Sequence, residues 1–172
     1  MTTARTRGGE DQKIRDELVE ILPELGLYAR SLVFAAEDAE DLVGETCLRC
    51  LERQSQFKRG SSLIAWAIRI CRNLHIDRSR SGWHGNVSLD LVSEQADPLS
   101  FKAIEDRLAV NEVHRMIHRL PTEQREVLVL KGGGFRYDEI AQSLSIPRGT
   151  VMSRLYRGRK ALEEMMTRKV AV

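Results

Sequence analysis

The sequence predicts an all-α protein in which two small helical domains are joined by a flexible linker. Helix-favouring Leu, Ala, Glu and Arg are frequent, whereas runs of β-branched residues are few. Apolar residues recur at three- and four-residue steps in two separate blocks of the chain, which is the period of a helix that buries one face. The stretch between the blocks keeps no such period and contains Gly82, Gly85, Asn86 and Pro98, a composition typical of linkers.

The first block, residues 10–80, has the pattern of three helices that form a compact bundle. In the first helix, Pro23 predicts a kink or break within an apolar face made by Ile14, Leu18, Ile21, Leu22 and Leu25. The second helix starts near Asp38, and its apolar stripe is Ala39, Leu42, Val43, Thr46, Cys47, Cys50 and Leu51. A third helix starts at about Ser62 and ends at about Ser79. The segment before it, residues 57–62, is predicted to be a loop, and residues 1–9 a loose tail.

The second block, residues 104–168, follows the predicted linker at residues 81–103. Its helical period begins at Ile104, and a further helix begins at Pro121 because proline is favoured in a first helical turn. The glycine run at residues 132–134 ends that helix.

Residues 137–165 have the pattern of a helix-turn-helix, in which two helices meet across a short turn. The first helix, YDEIAQSL, has its apolar residues on one face, and among them the small Ala141 allows the second helix to approach closely. Ile146 fills the turn, and Val151 and Leu155 hold the second helix against the first.

The outward face of that second helix is rich in groups that bind DNA. Arginines can pair with guanine or phosphate, and hydroxyl groups can fix the position on the backbone. The predicted DNA-binding side chains are Arg148, Thr150, Met152, Ser153, Arg154, Tyr156, Arg157 and Lys160. The alternative is a plain antiparallel helix pair with a solvated basic face.

The third helix of the first block carries a second candidate surface. Trp66, Arg69, Asn73, Asp77 and Arg80 recur at three- and four-residue steps, opposite the apolar positions of the same helix. Arginines can bind the phosphates of opened DNA, an amide can read a base edge, and an aromatic ring can stack on an unpaired base. Trp66 fits a position in the core equally well.

The C-terminal motif is similar to a specific family pattern. Residues 120–162 resemble the C-terminal domain of extracytoplasmic-function (group IV) sigma factors of the sigma-70 family, which reads the minus-35 promoter element. The matching positions are Leu120, Pro121, Arg125, Tyr137, Glu139, Ile140, Ala141, Pro147, Gly149, Thr150, Val151, Ser153, Arg154 and Leu155. The resemblance implies that Met152, Ser153, Tyr156 and Arg157 approach DNA. Met152 departs from the family pattern, in which a polar or basic residue is commoner at that position.

The first block resembles the same family. Residues 38–52 are similar to the helix that docks on the clamp helices of the largest polymerase subunits, although a solvated polar face is the alternative. The residues that this resemblance assigns to polymerase binding are Asp38, Asp41, Leu42, Glu45, Arg49 and Glu52. Residues 62–80 are similar to the promoter-melting region, with Asn73 and Asp77 at its Asn-x-x-x-Asp positions. Residues 57–62 are similar to the loop that captures a flipped minus-10 base.

Together these features predict a sigma factor that acts in the cytoplasm and is not an enzyme. Its expected partners are core RNA polymerase and promoter DNA, and the resemblance implies an anti-sigma protein as well. Acidic residues prevail from Glu10 to Glu52 and basic residues from Arg148 to Lys169, so different parts of the molecule should meet different partners. Two alternatives stay open: a regulator that binds duplex DNA without polymerase, and a sensor that uses thiol or zinc chemistry.

The spacing of Cys47 and Cys50 is the basis of the sensor alternative, with Cys71 and His75 as further candidate ligands. Both Cys47 and Cys50 lie on the apolar stripe of their helix, which favours packing in the core over metal binding. The sequence therefore predicts no metal and no cofactor. It also predicts no membrane insertion, because no apolar run is long enough to span a bilayer.

Overall fold

The computed structural model describes the backbone of residues 3–58, 60–80 and 112–170, and the side chains of residues 12–58, 60–80 and 112–168. All regular secondary structure in these ranges is helical, which confirms the predicted fold class. The helices are α1 (Thr3–Glu20), α2 (Leu22–Leu32), α3 (Ala36–Glu52), α4 (Leu63–Arg80), α5 (residues 112–118), α6 (Thr122–Gly132), α7 (Tyr137–Leu144) and α8 (Arg148–Val170). The predicted linker, residues 81–103, lies outside the described residues, so the domain boundaries stay predictions.

The N-terminal segment differs from its prediction. The sequence predicts a loose tail over residues 1–9, but the chain is already helical from Thr3. Once the buried Ile14 and Leu18 fix a helix, each residue added at its end gains a hydrogen bond at little cost, so the helix extends beyond its packed part. The break at Pro23 is confirmed, because α1 ends before Ile21 and the proline lies in the first turn of α2.

The apolar faces of α3 and α4 pack together as their periodicity predicts. Leu42 and Cys50 of α3 and Ala67 and Cys71 of α4 are fully buried. The hydroxyl of Ser62 begins α4 by accepting a hydrogen bond of 3.3 Å from a backbone N–H in its first turn. This packing leaves the opposite faces of both helices turned outward.

The close approach of α8 to α6 depends on Gly158. A Cβ atom at this position would lie 2.6 Å from Cδ1 of Leu128, a distance that packed carbon atoms do not reach. Val127 of α6 and Val151 of α8 are fully buried in the same part of the core. The side chain of Leu128 therefore occupies the space that Gly158 leaves free between α6 and α8.

The two halves of the described chain pack against each other. Helix α2 lies against α6, and α4 lies against α7, so buried residues from both halves belong to one apolar core. Leu27 of α2 reaches the end of α6, where its Cδ2 lies 3.4 Å from the position of a Cβ atom at Gly133. The sequence leaves open whether the halves meet, and the structure shows them closed on each other.

A buried carboxylate joins three helices of the two halves. Glu126 of α6 is 1% exposed, and its Oε1 accepts a hydrogen bond of 2.7 Å from the hydroxyl of Tyr28 on α2. The same oxygen accepts a hydrogen bond of 2.9 Å from Nε of Arg72 on α4. Burial, and then the nearby carboxylate, raises the pKa of Tyr28 well above its usual range, so the phenol stays protonated and donates. We call this group of Glu126, Tyr28 and Arg72 the Glu126 node.

A second polar contact joins α5 to the last turn of α2. In His118, Nε2 lies 2.9 Å from the carbonyl oxygen of Arg30, and Nδ1 lies 3.0 Å from Nη1 of Arg125. Because arginine can only donate, Nδ1 accepts and Nε2 carries the proton that is donated to the carbonyl. Burial, and then the charge of Arg125, lowers the pKa of His118 to about 4. The imidazole is therefore neutral at physiological pH.

Within the described ranges, no helix has both the length and the apolar character that crossing a bilayer requires.

Tyr28→Phe should lower the free energy of unfolding by about 1–2 kcal/mol, because the buried carboxylate of Glu126 loses one of its donors. Urea denaturation measures the change. Tyr156→Phe is the matched control: its side chain is exposed, so the expected change is within about 0.5 kcal/mol. Equal urea midpoints for the two variants would show that the Tyr28 hydroxyl does not support Glu126.

Acid should weaken the fold through His118. Its pKa is about 4 in the folded chain against 6.5 for an unperturbed histidine, so protonation favours the unfolded state. The stabilisation is complete above pH 6.5 and is lost as the pH falls from 6.5 through about 4. His118→Gln cannot be protonated and should lose less unfolding free energy over this range than the chain that keeps His118, measured by urea denaturation at each pH. His75 titrates in both proteins and cancels in the comparison. His114, whose ring lies 4.4 Å from that of His118, is replaced by glutamine in both proteins, so parallel pH profiles would contradict this role of His118.

Candidate nucleic-acid interface

Helices α7 and α8 form the helix-turn-helix that the sequence predicts. Ser145 adopts a left-handed conformation (φ 55°, ψ 45°) at the end of α7, and the amide of Ile146 donates a hydrogen bond of 3.0 Å to the carbonyl of Ala141. The side chain of Ile146 packs against the core, where Val151 and Leu155 are buried. These contacts fix which side of α8 faces inward.

Two hydrogen bonds from Arg136, the residue before α7, to Glu139 in its first turn fix the start of the helix. The backbone N–H of Arg136 donates to Oε2 of Glu139 at 2.7 Å, and the guanidinium of Arg136 donates to Oε1 at 3.1 Å. The hydrogen bond from the backbone is the largest cause that lowers the pKa of Glu139 below its usual range. This local interaction fixes the residue at which the first helix of the motif begins.

The outward face of α8 carries most of the side chains that the sequence assigns to DNA. Met152 is 53% exposed and Tyr156 is 69% exposed, which is high for large apolar residues. Thr150 is half-buried. The four exposed polar residues of the same prediction are Arg148, Ser153, Arg157 and Lys160. The surface has the cationic character of a DNA-binding face, and the roles of its individual residues stay predictions.

Arg154 does not lie where the sequence analysis placed it. The prediction puts it on the outward face, but its side chain is 19% exposed and its Nη2 lies 3.0 Å from Oε2 of Glu123 on α6. Arg154 lies three residues after the buried Val151, so the helical period turns it toward α6. It ties α8 to α6 and is not part of the outward surface.

Helix α4 presents the second predicted surface. Arg69, Asn73, Asp77 and Arg80 are exposed along one face, as the periodicity predicts. Trp66 is different, because it is half-buried, packs against the core and places its ring 5.2 Å from the ring of Phe57. Of the two alternatives that the sequence leaves for Trp66, the structure shows the packing position.

In the closed chain, part of the α4 surface is covered by the helix-turn-helix. Nη2 of Arg69 donates a hydrogen bond of 2.9 Å to the carbonyl oxygen of Gln142 on α7. The two candidate DNA-binding surfaces are therefore not equally accessible: the outward face of α8 is exposed, whereas α7 lies against α4.

Helix α3 carries the charged face that the sequence assigns to polymerase. Asp41 and Glu52 are exposed, and Asp38 is half-buried at the start of the helix. Glu45 forms an ion pair of 2.6 Å with Arg78 of α4, and Arg49 forms ion pairs with Glu45 (4.0 Å) and Glu52 (3.3 Å). These pairs hold the charged side chains in a fixed pattern on the surface.

The leucine on this face of α3 is not the one that the sequence predicts. Leu42 was assigned to polymerase binding, but it is fully buried against α4 and cannot present its side chain to a partner. The sequence analysis does not include Leu48 in this face, but its side chain is 62% exposed among the charged residues of α3. Its position outside the apolar stripe of the helix was the available signal, because a leucine on a polar face gains nothing from the core.

The three cysteines are free thiols that are buried or half-buried. Cys50 and Cys71 are buried, and burial raises the pKa of both thiols to about 12. Burial also raises the pKa of Cys47, so the thiolate form, which reacts and binds metals, is scarce in all three at neutral pH. Among the described residues, no three candidate ligands are placed to hold a metal ion. The geometry gives the thiol or zinc sensor no support.

Sequence comparison identifies the family of both halves. Residues 19–84 match the family described as Sigma-70 region 2, and residues 110–162 match the family described as Sigma-70, region 4. The ECF RNA polymerase sigma factor EcfG of Rhodopseudomonas palustris is 33% identical over 160 residues, which cover 89% of this chain and 84% of that protein. The ECF RNA polymerase sigma factor SigW of Bacillus subtilis is 32% identical over 141 residues, which cover 75% of each chain.

Solved structures show the same fold. The sigma factor RpoE of Bartonella quintana, solved in complex with the anti-sigma factor NepR, has a TM-score of 0.74 at 28% identity and is matched over 91% of this chain and 98% of its own. CnrH, solved in complex with the cytosolic domain of CnrY, has a TM-score of 0.71 at 22% identity over 95% and 94% of the two chains. The two regions and the helix-turn-helix agree with these comparisons, and the chain belongs to the extracytoplasmic-function sigma factors of the sigma-70 family.

Proposed function

We propose that this chain binds core RNA polymerase, directs it to promoters that carry a minus-35 and a minus-10 element, and thereby promotes transcription initiation. The observation that carries the proposal is the placement of α8, whose Val151–Leu155 side is buried while its cationic and apolar side chains face outward. A helix held in this way can enter the major groove of DNA. Sigma factors are transcription initiation factors, so the protein acts by binding and not as an enzyme.

The minus-35 element is contacted by the outward face of α8. Arg148, Arg157 and Lys160 supply positive charge for phosphates or guanine, and Ser153 supplies a hydroxyl group. Because phosphate contacts release counterions, binding to the upstream element should weaken steeply as salt rises. Arg154 contributes by holding α8 on α6 and not by contact with DNA.

The minus-10 element is contacted by α4. Asn73 and Asp77 provide groups that can bond to the edges of unpaired bases, and Arg69 and Arg80 can bind the phosphates of the opened strand. The contact between Trp66 and Phe57 supports this role indirectly, because it holds the loop before α4 against the helix.

The polymerase is contacted by the charged face of α3. Its exposed and half-buried charges, together with the exposed Leu48, form a surface with both a polar and an apolar component, as protein interfaces have. Leu42 supports that surface from below by packing α3 on α4.

The closed chain has to open before both elements can be bound. One guanidinium nitrogen of Arg69 donates to the carbonyl oxygen of Gln142 on α7, and opening frees that group for a phosphate. RpoE of Bartonella quintana was solved with an anti-sigma factor, and by likeness to it we include an anti-sigma protein among the partners of this chain. In this proposal the anti-sigma partner keeps the two halves closed and polymerase binding separates them. Because core polymerase and promoter DNA are found in the cytoplasm, we expect the protein to act there.

Run-off transcription on fragments of the host genome tests the proposal. Core polymerase with this chain should produce start sites that core polymerase alone does not, and the isolated chain should bind the same fragments only weakly. Tight and specific binding by the isolated chain, without new start sites, would favour a regulator that works without polymerase. If no new start sites appear, the proposed function is wrong.

Two arginines one turn apart on α8 should behave differently. Arg157→Ala should weaken binding of the holoenzyme to the upstream element by about 1–3 kcal/mol if Arg157 meets a base, with the thermal midpoint unchanged. Arg154→Ala should instead lower the free energy of unfolding, by up to about 1 kcal/mol, because it removes the ion pair with Glu123. Filter binding measures the first change, and urea denaturation the second.

Arg168→Ala is the matched control, since Arg168 is an exposed arginine near the other end of the same helix. It should change neither binding nor stability. An Arg157→Ala variant that binds the upstream element as tightly as the Arg168→Ala variant would exclude Arg157 from the interface.

A further inference from the structure

The outward surface of α8 is divided lengthwise into two flanks. Met152 and Tyr156 lie one helical turn apart on one flank, and Ser153 and Arg157 lie one turn apart beside them. The first pair is apolar and well exposed, whereas the second pair is polar. A recognition helix with this division can make two different kinds of contact along its length.

The polar flank already has hydrogen bonds within the helix. The hydroxyl of Ser153 donates to the carbonyl of Thr150 at 3.1 Å, and Nε of Arg157 donates to the carbonyl of Ser153 at 3.3 Å. Arg148, at the start of α8, forms an ion pair of 3.2 Å with Asp138. Met152 is a different case, because its thioether is a weak acceptor and its favourable contacts are apolar.

The charge around the apolar flank indicates what it contacts. Arg148, Arg157, Arg159 and Lys160 are exposed on or beside the same surface of α8. A partner that covers Met152 and Tyr156 therefore also contacts a cluster of positive charge. The partner that fits both features is a polyanion with apolar groups between its negative charges. The major groove of DNA meets that description, because thymine carries a C5-methyl group there and the other bases present hydrogen-bonding atoms.

We propose that Met152, with the ring of Tyr156 beside it, binds the C5-methyl group of thymine, so that this sigma factor selects A·T pairs where the apolar flank faces the upstream element. The proposal rests on the proposed function and adds the specificity of the site. Met152 lies in the first turns of α8, and residues near the start of a recognition helix are the ones that reach base edges. A guanine or cytosine at that position would leave its polar groups facing a side chain that cannot bond to them.

Replacing thymine by deoxyuridine tests this directly, since the change removes the methyl group and keeps the base pairing. The probe is a promoter fragment that gives a run-off transcript with this chain, synthesised with each upstream thymine replaced in turn. Wild-type holoenzyme should bind about fourfold more weakly at one or two of these positions, the value of one buried methyl group. Holoenzyme with Met152→Ala should bind the thymine and deoxyuridine forms equally.

Met166→Ala is the matched control, because Met166 is an exposed methionine on the same helix, 56% exposed, and far from its start. It should keep the preference for thymine. The thermal midpoints of both variants verify that they fold.

Three results would overturn the proposal while leaving the sigma function intact. These are equal binding of thymine and deoxyuridine forms by the wild type, an upstream element without thymine, and a Met152→Ala variant that keeps the preference for thymine but binds core polymerase less tightly. The last result would assign the apolar flank to a protein contact. If no start sites appear at all, the proposed function fails and the specificity proposal falls with it.

Discussion

The buried carboxylate of Glu126 constrains how the two halves of the described chain meet. Its two donors, Tyr28 and Arg72, come from different helices of the N-terminal half. Only one relative position of the two halves brings both donors to the same oxygen. A charged group in the interior is tolerated only with such partners, and losing one of them is costly. Water would solvate Glu126 and Arg72 if the halves parted, so their separation leaves no unsatisfied charge. The Glu126 node therefore makes the closed arrangement specific while still allowing the opening that we propose.

The same relative position of the halves determines which surfaces are exposed in the closed chain. Helix α7 lies against α4 and accepts a hydrogen bond from Arg69, whereas the outward face of α8 is exposed. The side chains proposed for the upstream element are exposed in the closed chain, whereas Arg69 of the α4 surface is hydrogen-bonded to α7. His118 adds a contact at the other edge of the interface, where it satisfies the carbonyl of Arg30 that the end of α2 leaves without a helical partner.

Local patterns predicted the elements well because their causes are local. The turn at Ile146, the break at Pro23 and the glycine end of α6 depend on a few neighbouring residues, and all three are found. The errors concern positions where the partner is distant in sequence. Arg154 is such a position, because it turns inward to pair with Glu123 on another helix. No periodicity could reveal that Glu126 meets Tyr28 and Arg72, which lie in the other half of the chain.

The glycine at position 158 has a consequence for how promoter preference could change during evolution. A larger residue at position 158 would have to displace the side chain of Leu128, whose Cδ1 lies 2.6 Å from the position of the added Cβ atom. Met152 lies six residues away, about 9 Å along the axis, so a small tilt at Gly158 would swing the tip of α8 sideways across the groove. A repacking of Leu128 that tilts α8 would change the aim of the side chains proposed to contact DNA, although none of those side chains is altered.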